Sequence, residues 1–236
     1  MQWVSYRFKQ LSILGLASVA LGGFLTAPST ANAALTTVGV DPASPWQGFM
    51  NVFELPSNGG GFDFSSSWGT ADLPASFTGP TLKIGANTNI DSGAAATDAF
   101  WWQSGGTGAG NHIMDASYYV QSDAIAGQTV EFNGNVLSNT LVSPYTSVAF
   151  IKDFNSNFSS LIGSTTVPLV NGVFDISLAT QPGDHIQYGF ETKGPNARNA
   201  AAPGLGSVSV TAVPEPATLG LIGALGIPAL LRRRKV

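Results

Sequence analysis

Thr129-Val130-Glu131-Phe132-Asn133-Gly134-Asn135-Val136 alternates apolar and polar side chains. Successive side chains of a strand point to opposite faces, so Val130, Phe132 and Val136 belong to one face and Glu131, Asn133 and Asn135 to the other. The same period continues downstream. Val173 to Leu178 sets Phe174, Ile176 and Leu178 against Asp175 and Ser177. Ile186, Tyr188 and Phe190 alternate with Gln187, Gly189 and Glu191, and Val208 and Val210 with Ser207, Ser209 and Thr211. Tyr145 to Ile151 is apolar on both faces, the pattern of a strand covered on both sides. Upstream, Phe49 to Leu55 places Phe49, Asn51, Phe53 and Leu55 on a common face.

Turn formers separate these runs: Asn58-Gly59-Gly60-Gly61, Ser104-Gly105-Gly106, Asn171-Gly172 and Gln181-Pro182-Gly183-Asp184. With 28 Gly and 14 Pro in 236 residues, long helices are disfavoured in the body and short strands fit. No window carries a convincing amphipathic helix, and no internal repeat is found. The expected fold class is all-β: one jelly-roll-like antiparallel β-sandwich of about nine strands over residues 34–212, with loops at 103–111 and 194–206.

The two ends read differently. Arg7 and Lys9 precede an uncharged run from Leu11 to Ala27, and Ala31-Asn32-Ala33 follows. Basic start, apolar run and small-residue exit are the parts of a secretory signal peptide over residues 1–33. Cleavage is expected between Ala33 and Ala34, with Ala31 and Ala33 as the small residues that signal peptidase requires. At the other end Val213-Pro214-Glu215-Pro216 is followed by 15 uncharged residues, 217–231, and then Arg232-Arg233-Arg234-Lys235. A helix of that length reaches only ~22 Å against a ~30 Å hydrocarbon core, and Pro228 weakens it. The basic end stops transfer on the cytoplasmic side, so the preceding domain faces outward.

Residues 213–236 resemble the PEP-CTERM sorting signal, which has the same three parts in the same order. The resemblance implies recognition by an exosortase of Gram-negative bacteria that make exopolysaccharide, with processing near Pro214-Glu215-Pro216. Export through the general secretion machinery, a transient inner-membrane anchor, and then the cell envelope surface or extracellular matrix would follow. The segment from Trp46 to Arg198 also resembles the ectodomains of other PEP-CTERM proteins, a group with no activity to transfer.

Between the ends, four basic side chains (Lys83, Lys152, Lys193, Arg198) face thirteen acidic ones, a balance of −9. Phosphate backbones are held by Lys and Arg, so this body is not built for nucleic acid or for anionic lipid. The absence of cysteine excludes disulfides, thiolate metal sites and a cysteine nucleophile.

Chemistry-bearing residues are few. The chain has two histidines, His112 and His185, and no Gly-x-Ser-x-Gly elbow, which leaves nucleophilic catalysis without parts. No catalytic residue is assigned. Glu54, Glu131 and Glu191 lie on expected strands, where a facing pair of carboxylates would suit glycoside hydrolysis. Asp153-Phe154-Asn155-Ser156-Asn157 opens like a calcium loop, but Phe158 stands where glycine is needed for the turn and Ser164 where the bidentate glutamate belongs. The expected cofactor is none, with a loop-stiffening calcium as the alternative to a plain polar turn. The aromatic pairs are more suggestive. Trp101-Trp102 with Gln103, and Tyr118-Tyr119, place adjacent rings on opposite faces of a strand, so one can fill the core while the other offers a flat apolar surface to a sugar ring. Together these readings lead to a non-enzymatic exported protein associated with exopolysaccharide. A polysaccharide-acting enzyme using paired carboxylates and a self-assembling adhesin are the alternatives.

Overall fold

A computed structural model describes residues 33–214. The signal segment, apart from Ala33, and the sorting tail from Glu215 onward, including Pro216, the expected membrane helix and Arg232 to Lys235, lie outside the described residues. The described residues form twelve strands: β1 (Leu35–Val38), β2 (Gln47–Glu54), β3 (Phe62–Trp68), β4 (Ala75–Thr78), β5 (Thr81–Gly85), β6 (His112–Gln121), β7 (Thr129–Asn139), β8 (Thr146–Phe154), β9 (Leu161–Pro168), β10 (Gly172–Ala179), β11 (His185–Pro195) and β12 (Ser207–Thr211). The remainder is turns and short helical pieces, and no described helix is long and apolar enough to cross a membrane.

The strands divide into two six-stranded sheets packed into an all-β sandwich. One runs β3-β2-β6-β11-β8-β9, antiparallel throughout. The other holds β4, β5, β12, β7, β10 and β1. Within it, β10 pairs with one edge of β7 over Thr129–Val136. The other edge is shared: β1 takes Thr129–Phe132 in parallel, and β12 takes Asn135–Asn139 antiparallel. The parallel β1–β7 pair is a departure from an all-antiparallel expectation, as is the count of twelve. The unanticipated strands are short or rich in serine and threonine, such as Phe-Asp-Phe-Ser-Ser-Ser-Trp in β3 and Leu-Ile-Gly-Ser-Thr-Thr-Val-Pro in β9. Their side chains carry little hydrophobic alternation.

Period-two alternation places the core between the sheets. Val130, Phe132 and Val136 of β7 are 2 % exposed or less, and they meet Ile186, Tyr188 and Phe190 of β11. Phe132 touches both Tyr188 and Phe190 with ring centroids 5.3 and 5.4 Å apart. Gly134, in the same inward row of β7, leaves the space that the Phe174 ring occupies; a Cβ there would lie 2.6 Å from that ring. In β2 the inward residues are Met50 and Val52, so Phe49, Asn51 and Phe53 turn to the other side of the sheet. That outward face of the antiparallel sheet carries the candidate site.

Candidate functional site: a hollow on the outer sheet face

Strand register assembles the outer face row by row. Phe49 of β2, Ser117 of β6 and Glu191 of β11 lie side by side, with Ser67 of β3 beyond Phe49. The next row toward one end is Tyr119, Gly189 and Phe150, followed by Gln121, Gln187 and Lys152. Phe154 closes that end, and Phe158 overhangs from the β8–β9 turn. Between them lies a hollow of about 470 Å³, lined by Phe49, Asn51, Ser67, Ser117, Tyr119, Gln121, Lys152, Phe154, Phe158 and Gln187. Five adjacent strands and one turn supply it.

The floor is unusually buried for an outer face. Phe150 is fully covered and Tyr119 is 8 % exposed. Gly189 sits between them, and a Cβ there would collide with the Tyr118 carbonyl oxygen and lie 2.6 Å from Tyr119 Cα. The Lys152 ammonium lies over the Phe150 ring, 4.2 Å from its centroid, and its charge is answered by Glu191 at 2.9 Å. Gln187 donates to the Gln121 side-chain oxygen at 3.3 Å, so two amides are coupled along one wall. Aromatic faces beside amides and hydroxyls form a lining that can stack on a sugar ring and bond its hydroxyls.

Beside the hollow, Asp115 and Glu191 form a carboxyl pair bracketed by lysines. Lys193 reaches Asp115 at 3.6 Å while Lys152 holds Glu191. Burial, with the neighbouring Glu191 charge, pushes the Asp115 carboxyl up to about 6, against the opposing pull of Lys193. Glu54, Glu131 and Glu191 are not brought together: Glu131 lies on β7 in the opposite sheet, and Glu54 lies at the end of β2 in the row set of the inward residues. The partner of Glu191 is an aspartate, a pairing that strand parity alone did not single out.

The sequence-derived aromatic residues separate. Tyr119 floors the hollow. Tyr118 points into the core and stacks on Trp46 with centroids 4.8 Å and planes 6° apart. Trp102 is fully buried, donates its indole N–H to the Ala95 carbonyl at 2.8 Å, and is capped by the Arg198 guanidinium 3.4 Å from its ring, so its face is not open to a ligand. Trp101 is half-buried against Phe64, Phe100 and His112, and Gln103 is exposed with its amide donating to the Gly110 carbonyl. These residues sit apart from the hollow because 101–103 form a turn and a single bridge to Gly110 rather than a strand. Phe49, Phe154 and Phe158 were missed as site residues, although the shared face of Phe49 and Asn51 was legible.

The Asp153–Asn157 segment forms the end of β8 and its turn. Asp153 faces inward, 1 % exposed, and one carboxylate oxygen accepts the Gln181 N–H at 2.9 Å. Asn155 and Asn157 spend their side-chain oxygens on the N–H groups of Ser160 and Ser159. Among the described residues no group of three or more His, Cys, Asp or Glu converges as a metal site would. Comparison with family models, with curated proteins and with solved structures finds no match.

Proposed function

We propose that the protein is an exported, non-enzymatic glycan-binding module that associates with exopolysaccharide through the hollow on its outer sheet face. The observation that carries this reading is the lining: four aromatic side chains, three amides and two hydroxyls converge on one open trough, and its single cation is already paired with Glu191. With no unanswered positive charge in the hollow, and a body of net charge −9, the favoured ligand is a neutral or weakly charged polysaccharide. A jelly-roll-like topology agrees with the chain's path, which changes sheets at β1–β2, β3–β4, β5–β6, β6–β7, β7–β8, β9–β10, β10–β11 and β11–β12.

Export, exosortase sorting and delivery to the envelope or matrix rest on the two terminal patterns of the sequence. Exposed Ala33 and Ala34 agree with access for signal peptidase, and the Ala34 carbonyl already accepts the Thr129 N–H at 2.9 Å, so the domain is tied into its sheet immediately after the expected cleavage point. Pro214 is exposed beyond β12. Replacing Pro214-Glu215-Pro216 by alanines in an exosortase-bearing host tests the sorting step: retention of the tail is expected, and unaltered processing overturns it. Binding of the purified protein to immobilised neutral polysaccharides and to exopolysaccharide tests the ligand class.

One observation favours a second reading, the self-assembling adhesin. Both edges of the antiparallel sheet expose apolar side chains, Phe62 and Phe64 on β3 and Leu161 and Ile162 on β9, and the two strands together carry one charge, Asp63. Unprotected edges template further strands. Concentration-dependent oligomers in light scattering support this reading, and a monomer at every concentration removes it.

A further inference from the structure

Phe158 is the one wall of the hollow that no strand supplies. It stands in the β8–β9 turn with φ +58°, a backbone region that bulky side chains rarely adopt. Its ring lies flat on the His185 imidazole, centroids 3.9 Å and planes 3° apart. His185 opens β11 opposite Phe154 and is itself held from two sides. Its Nδ1 faces an Asp123 carboxylate oxygen at 3.0 Å, and its Nε2 faces the Ser156 carbonyl oxygen at 3.1 Å.

Both partners only accept hydrogen bonds. A neutral imidazole has one N–H and can serve one of them; the imidazolium has two and serves both. The turn carrying Phe158 is therefore fully tied to Asp123 only when His185 is charged. We propose that His185 is a positioning residue of the hollow, its two-proton form clamping Phe158 over the ligand and its one-proton form releasing the turn. This rests on the glycan-binding reading for its consequence, but the clamp is a property of the unliganded protein.

The surroundings favour the charged form. Asp123 faces His185 from the β6–β7 connection, and Asp184 precedes it in the chain. Asp153 on β8 sits with Asp184, and Lys152, one row further along β8, is occupied by Glu191. Asp123 as acceptor for the imidazole, followed by the accepting Ser156 carbonyl and the two aspartate charges, outweighs desolvation and raises the His185 pKa above 6.5. The clamp is complete below that pH and is lost as pH rises through the raised value.

The test follows the Phe158 ring and His185 Hε1 resonances of the purified protein by NMR from pH 5 to 9. Phe158 is expected to shift with the His185 titration, at a midpoint above 6.5 that Asp123→Asn lowers, and to lose its pH response in His185→Gln at unchanged far-UV circular dichroism. A Phe158 ring indifferent to the His185 titration overturns the proposal. Neutral glucan and mannan oligosaccharides then report the consequence. Affinity is expected to fall by at least about threefold across the same midpoint in wild type and to stay flat in His185→Gln; pH-independent wild-type binding also overturns it. If no oligosaccharide binds at any pH while Phe158 tracks His185, the clamp stands and the glycan reading fails.

Discussion

Tyr118 and Tyr119 are neighbours in the chain and face opposite sides of one sheet. Tyr118 lies against Trp46 in the sandwich core, and Tyr119 floors the outer hollow. The outer face of β6 is itself largely buried, with Asp115, Ser117 and Tyr119 each 8 % exposed or less. A face so poorly solvated, yet still open enough to hold a hollow, is suited to a ligand that stacks and hydrogen-bonds.

Ring deletions separate site from core. Phe158→Ala, at a side chain 48 % exposed, should leave stability nearly unchanged and weaken glycan binding by about tenfold, the scale of one well-placed ring contact. Trp102→Ala should instead destabilise by about 3–5 kcal/mol, because it empties a fully packed site and removes the ring on which the Arg198 guanidinium lies. Urea denaturation of both variants checks the contrast.

Acidic titration gives a second handle. The Asp115 pKa is raised to about 6 by burial and by Glu191, so its contribution to stability is fully present below 3.8 and declines as pH rises through about 6. Asp115→Asn, which cannot ionise, should flatten the stability profile between these values. It should be at least as stable as wild type at pH 7, by on the order of 1 kcal/mol after the loss of the Lys193 contact. Chemical denaturation at pH 4 and pH 7 reads the difference.

Gly189 predicts a packing defect. Alanine there puts a Cβ against the Tyr118 carbonyl and the Tyr119 backbone, and β6 and β11 must part to take it. A loss of about 1–3 kcal/mol is expected, the usual cost of overpacking. Since the shift moves Tyr119, glycan affinity should fall as well. Thermal melts and a binding isotherm on the same sample test both.

Arg198, in the β11–β12 connection, ties down the β5–β6 connection through Asp91 at 2.7 Å, the Ala96 and Gly106 carbonyls, and the Trp102 ring. Lysine has neither the planar fork nor the number of donors, so Arg198→Lys should cost about 2–3 kcal/mol. Burial alone would raise the Asp91 pKa; the Arg198 hydrogen bond, the Asn199 N–H and the Arg198 charge together lower it below 3.8. The stabilisation is present above 3.8 and lost as pH falls through the lowered value, so wild type and variant should converge in acid. Denaturation midpoints across pH 2–7 follow that convergence.

The strands with strong alternation were legible because each buries one face: β7, β10, β11 and β12 match the apolar rows read from Val130, Phe174, Ile186 and Val208. Alternation did not mark β3 or β9, whose residues are largely exposed and rich in hydroxyl side chains. Burial of both Phe150 and Ile151 agrees with the doubly apolar reading of 145–151. The site was half legible. Tyr119 is the sequence-derived aromatic that reaches the hollow; Trp102 is drawn into the core because residues 101–103 turn and bring its indole N–H to the Ala95 carbonyl. The role of His185 was not legible, since its partners Asp123, Ser156 and Phe158 come from two distant connections that only the fold brings together.

The most direct measurement is co-sedimentation of the purified protein with exopolysaccharide, beside Tyr119→Ala, Phe158→Ala and Trp101→Ala variants that keep the wild-type circular dichroism. Saturable binding that is lost in the first two and kept in Trp101→Ala is the predicted result. Absence of wild-type binding, or binding that survives both hollow substitutions, would contradict the account.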